Sequence, residues 1–476
     1  MKTIRYIFLL VVLITILLRC AVNPVTGKKE FMLLSKDQEV AMGKEADPEI
    51  IAAYGLYPSN ELQQFIENKG QAMAKISHRP ELQYEFKILN TPVVNAFAVP
   101  GGYVYFTRGI MAHLNSEAEF AGVLGHEIGH VAARHSAKQY SRAMAAQLGI
   151  AVGSLVSKEF AQFSDIATTG AGLLFLKYGR DAERQSDKLG VEYSTKTGYD
   201  AHAMANFFTT LDRMSGSDQE LPVFLSTHPD PGERRENVDD LADKWQKKDS
   251  RQQYIINRNN YLKRIDGIIY GEDPREGYVE GQVFYHPEMK FYYPVPSGWK
   301  VENTPQQVNM LSPSNDAIII LGLSQKQSLD DAASELVSQY NLEVSSTDRM
   351  QIHGLDAANM IASQSSQGQV LHLSIYLIHY NNLIFQFISA TTPDNFSQLR
   401  PITDRTARGF NKLTDPSKIN VRPHHIAIKE ANTTTSLNRI LTNLGVSENK
   451  LEEHALLNGF KLDQTIDKGM LLKIIE

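Results

Sequence analysis

The stretch Ser116-Glu-Ala-Glu-Phe-Ala-Gly-Val-Leu-Gly-His-Glu-Ile-Gly-His-Val-Ala-Ala-Arg-His135 decides the reading of this chain. At its centre, His126-Glu127-Ile128-Gly129-His130 is an H-E-x-x-H pentad. Phe120, Val123, Leu124, Ile128 and Val131 recur at helical spacing, which predicts an amphipathic helix carrying the pentad. Four residues is a little more than one turn, so His126 and His130 share a face and one ion can take both imidazoles. Glu127 lies beside them, placed to act on a water molecule as general base. A bound zinc ion lowers the pKa of water from about 15.7 to about 7, which makes a nucleophile at neutral pH. A bare pentad can arise by chance, and the support here is its mid-helix position and a downstream third ligand.

A catalytic zinc site needs three protein ligands and an open fourth position. The metzincin arrangement would require glycine at position 133 and histidine at 136, where Ala133 and Ser136 stand; His135 is one residue out of register. The alternative is a glutamate from a separate helix. Arg180-Asp-Ala-Glu183-Arg-Gln-Ser-Asp187-Lys-Leu-Gly-Val-Glu192 supplies one, with Glu183 and Asp187 four residues apart on one face. In this reading Glu183 binds the ion and Asp187 orients a ligand imidazole from behind. A solvated, salt-bridged helix face is the competing reading of that charged run. His228, held in Ser226-Thr-His-Pro-Asp-Pro-Gly-Glu-Arg-Arg235 between turn-forming residues, is a candidate fourth ligand, a transition-state donor or a bystander.

Three blocks in order, Asn95-Ala-Phe-Ala-Val-Pro-Gly-Gly-Tyr-Val-Tyr-Phe-Thr-Arg-Gly109, the pentad helix and Glu183-x-x-x-Asp187, resemble the HtpX/BepA-type metallopeptidases of peptidase family 48. The resemblance runs over roughly residues 21–270. It implies one zinc ion per chain held by His126, His130 and Glu183, with Glu127 as catalytic base and Asp187 in support. It also implies protein quality control, with unfolded or misassembled envelope proteins as substrates. Tyr103-Val-Tyr-Phe-Thr107 alternates aromatic and β-branched residues after a Pro-Gly-Gly turn, as a strand does. It is read either as an edge that takes an extended substrate or as an ordinary core strand. A metal-stabilised chaperone or assembly scaffold without catalysis is the competing function. The intact Glu127 argues against it, because a scaffold needs no base beside its metal.

Met1-Lys-Thr-Ile-Arg5 followed by apolar Tyr6 to Leu18 reads as a secretory signal, too short for a comfortable membrane span. Cys20, the sole cysteine, stands where a bacterial lipoprotein carries its lipidated residue. Arg19 departs from the small residue usual before that cysteine, so a retained N-terminal anchor is the alternative. Cys20-Ala-Val-Asn-Pro-Val-Thr-Gly-Lys-Lys-Glu30 resembles the start of lipoprotein members of the family, which implies a periplasmic location tethered to the outer membrane. A single cysteine excludes internal disulfides.

A chain of 476 residues has room for about three domains. Its net charge of −6, with no basic stripe, gives nucleic-acid binding no electrostatic support. Residues 143–156 are small and apolar, too short to span a bilayer, and read as a buried helix near the active site, with contact to lipid or unfolded substrate as the alternative. Glu272 to Gly281 is a charged boundary with Pro and Gly. Beyond it, segments at 291–299, 317–323, 371–379 and 383–388 read as strands and Asp330 to Tyr340 as a helix. This part is weakly similar to PsbP-type domains, and its His372 and His379 read as sheet-face residues. Residues 424–476 are similar to a degenerate LysM repeat, a strand, two helices meeting at Leu457-Asn-Gly459 and a closing strand. Ala431-Asn-Thr433 replaces the usual Gly-Asp-Thr opening, which weighs against glycan binding and leaves a small packing domain as the alternative. The predicted fold class is α+β. A mainly helical gluzincin metallopeptidase domain with a small sheet (21–270) follows a signal and lipobox (1–20). A smaller α+β domain (283–413) and a LysM-like module (424–476) come after it.

Overall fold

The computed structural model describes residues 20–147, 177–215, 222–228, 231–366 and 369–476. The signal segment and most of the apolar run at 143–156 lie outside the described residues. The chain forms two compact units, one of residues 1–271 with 424–476, the other of residues 272–423. Among the described residues, no helix is long and apolar enough to cross a membrane.

The first unit is built around the pentad helix, Glu117–Ala132, all of whose residues are buried. Its N-terminus is defined locally. The Ser116 side chain accepts from Glu119 N at 3.0 Å, and Glu119 Oε2 accepts from Asn115 N at 2.7 Å. The first bond satisfies a donor that a helix start leaves open, and the second ties the residue before the cap to the first turn. Beyond the helix, Arg134 takes a left-handed φ of 59° and a new helix begins at His135. A three-stranded sheet lies before the pentad helix, with Tyr103–Thr107 in the centre, parallel to Glu85–Leu89 and antiparallel to Ala96–Val99. Phe120 reaches from the helix to Phe65 and Phe106 at ring distances of 4.8 and 5.0 Å. Each such buried ring contributes about 1.5–3 kcal/mol. Helices Arg180–Lys196, His202–Ser215 and Pro231–Gln246 complete the surroundings.

Residues 424–476 belong to this unit. Strand His424–Glu430 pairs antiparallel with Leu471–Ile475 and, through His424 and His425, with Tyr270 and Ile269. The two helices, Leu437–Asn443 and Leu451–Asn458, lie between, and Gly459 takes a φ of 72° where the second ends. Lys473 is fully buried and its Nζ donates to the carbonyls of Ala112, His113 and Leu114 at 2.8, 3.3 and 3.1 Å.

The second unit is antiparallel throughout its described pairings. Its seven-stranded sheet runs in the order 300–303, 308–311, 317–324, 383–391, 369–380, 355–366 and 343–352. One face packs Leu373 and Leu377 against Leu329, Ala332 and Leu336 of helix Leu329–Tyr340. The other packs Tyr376, Phe385 and Phe387 against Phe291 and Tyr293 of a smaller four-stranded sheet. His372 and His379 lie on the strand 369–380, as sheet residues.

Candidate metal centre

A stripe of small residues sets the distance between the two helices that make the site. A Cβ on Gly125 would stand 3.0 Å from Gly190 O, and one on Gly129 would stand 3.1 Å from the Leu189 Cβ. A Cβ on Gly190 would stand 3.1 Å from His126 N. The helix Arg180–Lys196 therefore approaches the pentad helix at backbone contact, which carries Glu183 to the imidazoles.

The structure brings His126, His130, Glu183 and His228 together, fully buried, with one ligand atom from each within 4.8 Å of the others. His126 Nε2 lies 3.0 Å from His130 Nε2, 3.3 Å from His228 Nδ1 and 3.5 Å from Glu183 Oε2. Glu183 Oε1 lies 3.4 Å from His130 Nε2 and 3.0 Å from His228 Nδ1. Four ligands on a tetrahedral zinc with bonds of about 2.0–2.1 Å stand about 3.3 Å apart, so the spacing and the nitrogen-oxygen donor set fit that ion. Glu127 sits alongside. Both its oxygens are buried without a hydrogen-bond partner, and Oε1 is 3.7 Å from His228 Nε2. Burial pushes its carboxyl above the usual range, as suits a group that takes up a proton.

Asp187 lies 3.0 Å from His126 Nδ1. A carboxylate only accepts, so that nitrogen donates and Nε2 is left free for an ion. Burial would lower the His126 imidazole, but Asp187 and then Glu183 outweigh it and raise its basicity, which strengthens the ring as a ligand. Burial likewise opposes charge on Glu183, yet His228 and Arg234 hold its carboxyl well below the usual range.

Three residues reach the site in roles that the sequence does not assign to them. Arg234 bonds Asp187 through Nε at 2.8 Å and Nη2 at 2.6 Å, reaches Glu183 Oε2 at 2.9 Å and donates to the His228 carbonyl at 3.2 Å. It sits inside the Ser226–Arg235 block, where nothing in its spacing sets it apart from its neighbour Arg235. Tyr178 stacks on the His130 ring at 3.9 Å, and its hydroxyl donates to Ala98 O at 3.2 Å. No motif marks it. His135, out of register as a ligand, turns back onto the site, with Nδ1 3.1 Å from His130 Nδ1 and Nε2 3.0 Å from Gln185 Oε1.

The two readings of Tyr103–Thr107 are resolved in favour of a core strand, because partners flank it on both sides. The sheet edge beside the pentad helix is Ala96–Val99. Phe224 N donates to Val94 O at 3.1 Å just before that edge strand, and Tyr178 covers the Ala98 carbonyl. Cys20 opens a strand that pairs with Lys29–Phe31, and Asn23 Nδ2 donates to Ala133 O at 3.3 Å.

Residues 60–242 match the model of peptidase family M48. A putative beta-barrel assembly-enhancing protease of Vibrio cholerae is 33% identical over 181 residues, covering 36% of this chain and 37% of that one. The mitochondrial metalloendopeptidase OMA1 of Schizosaccharomyces pombe is 28% identical over 223 residues, covering 46% of this chain and 65% of its own. The metalloprotease YcaL of Escherichia coli is 30% identical over 158 residues, covering 33% and 61%. The chain thus spans between 37% and 65% of the length of these relatives.

Proposed function

We propose, from the premise that residues 60–242 are a peptidase family M48 domain, that the chain is a zinc-dependent endopeptidase. One observation carries this reading, the buried His126, His130, Glu183 and His228 set with the unpartnered Glu127 carboxylate beside it. His126, His130 and Glu183 would hold the ion, which supplies Lewis acidity and a lowered pKa for bound water. Glu127 accepts a proton from the attacking water and returns it to the leaving amide nitrogen. Asp187 and Arg234 keep the ligand side chains in place. His228 is either a fourth ligand that closes the resting site or a donor to the developing oxyanion. An extended substrate would pair with the edge Ala96–Val99 once Tyr178 and the short helix Val223–Thr227 move aside.

We further propose that the substrates are misfolded or mislocalised envelope proteins, and that the protein works in the periplasm, tethered to the outer membrane through Cys20. The names of the bacterial relatives support the substrate class, and the signal-like N-terminus supports the compartment. Expressing Glu127→Gln in cells deleted for the gene tests catalysis against scaffolding. Loss of rescue is expected, and full rescue would assign the function to a scaffold.

A further inference from the structure

We propose that His135 and Gln185 act as positioning residues that hold His130 in the tautomer able to bind a metal. The inference rests on reading His130 as a ligand through Nε2. That nitrogen is free only if the ring proton sits on Nδ1. His130 Nδ1 faces His135 Nδ1 at 3.1 Å, so the hydrogen bond must run from His130 to His135. His135 then carries its own proton on Nε2, and that nitrogen lies 3.0 Å from Gln185 Oε1, an atom that only accepts. With the amide of Gln185 reversed, each proton in the chain would shift over and His130 Nε2 would be blocked.

The backbone explains why the register alone hides this arrangement. On one continuous helix, residues five apart point about 140° away from each other. The left-handed Arg134, with φ 59°, ends the pentad helix and restarts the chain at His135, which turns the ring back into the interior. His135 is 5% exposed, and Ser186 Oγ flanks its Nδ1 at 3.3 Å. The helix Arg180–Lys196 therefore orients both ligand imidazoles. Asp187 holds His126 directly, and Gln185, two residues earlier, holds His130 through His135.

The test is the zinc Kd of the purified chain, measured by competition with a chelator. This readout needs no proteolysis, so a failure of the peptidase reading would not be mistaken for a failure here. His135→Leu, which has no acceptor for His130 Nδ1, should weaken zinc binding about 10–100-fold. His135→Asn places an oxygen near the lost Nδ1 and should restore affinity to within about threefold. Wild-type affinity in His135→Leu would overturn the proposal, as would equal weakening in both variants, which indicates packing alone. If His135→Leu does not fold, Gln185→Leu decides. About threefold or greater weakening is expected there, and an unchanged Kd overturns the relay.

Discussion

Glu127 and His228 face each other across 3.7 Å with no hydrogen bond on either facing atom, although both side chains are fully buried. Unpaired buried polar atoms cost about 1–3 kcal/mol each, so such a pair is retained for a purpose other than stability. Phe224 stacks on the His228 ring at 4.5 Å and holds it over the cluster. If His228 closes the resting site, His228→Ala should cleave an unfolded substrate faster than wild type at equal zinc content. A fall of roughly a hundredfold would instead identify an oxyanion donor, and no change in rate would leave it a bystander. At this scale the sequence is informative where chemistry restricts residue type. The pentad stands out by spacing because few residues can do its work, whereas Glu183 and Asp187 take on meaning only beside it, since a charged helix face is ordinary on its own. Arg234, Tyr178 and His135 do not, because arginines, tyrosines and stray histidines are common and only the fold shows what they touch.

The glycine contact decides whether the two helices make a site at all. Gly125 faces Gly190 and Gly129 faces Ser186 and Leu189 on the helix Arg180–Lys196, while Gly122 faces Met204 on the helix His202–Ser215. A Cβ on Gly190 would meet His126 N at 3.1 Å and Gly122 O at 3.2 Å, both backbone atoms that cannot step aside cheaply. Gly190→Ala should push the helices apart and draw Glu183 away from His126 and His130. Since a shift of about 1 Å can cost about a hundredfold in rate, zinc affinity and cleavage should both fall at least tenfold. Unchanged zinc affinity in that variant would show the contact to be slack. The stripe is visible in the quoted stretch, but its partner is not, because glycine spacing predicts a close approach and not which element comes close. Tyr103–Thr107 shows the same gap. Alternation predicts a strand correctly, while its place in the centre of the sheet depends on long-range pairing.

Across the whole molecule, the second unit is inserted between two parts of the first, with Ile269–Tyr270 and His424–Glu430 paired at the point of insertion. The change of character near Glu272 is legible in the sequence, and the division falls between Gly271 and Glu272. The return of the C-terminus is less so, since it rests on long-range contacts, among them the pairing of His424 and His425 with Tyr270 and Ile269, Ile426 and Leu457 in the core, and Lys473. Lys473 caps the three carbonyls that precede the pentad helix, while Asn458 bonds its backbone N and O at 2.8 Å each. Burial of Glu119 pushes its carboxyl above the usual range, against the Asn115 N–H and the Lys473 charge. Lys473→Met leaves the carbonyls unpaired and should destabilise the first unit by about 3 kcal/mol. Thermal unfolding followed by calorimetry should show one transition move down and the other stay in place. An unmoved profile would mean that the C-terminal strand contributes little to holding the first unit.

The central claim is that this chain hydrolyses peptide bonds with a metal ion and Glu127. The most direct measurement is degradation of an unfolded protein by the purified chain, with and without a chelator and with Glu127→Gln alongside. The account predicts cleavage by the zinc-loaded chain that stops on chelation and returns on adding zinc. It predicts a loss of at least about a hundredfold in Glu127→Gln with zinc still bound. Cleavage that ignores the chelator, or full activity in Glu127→Gln, would contradict it.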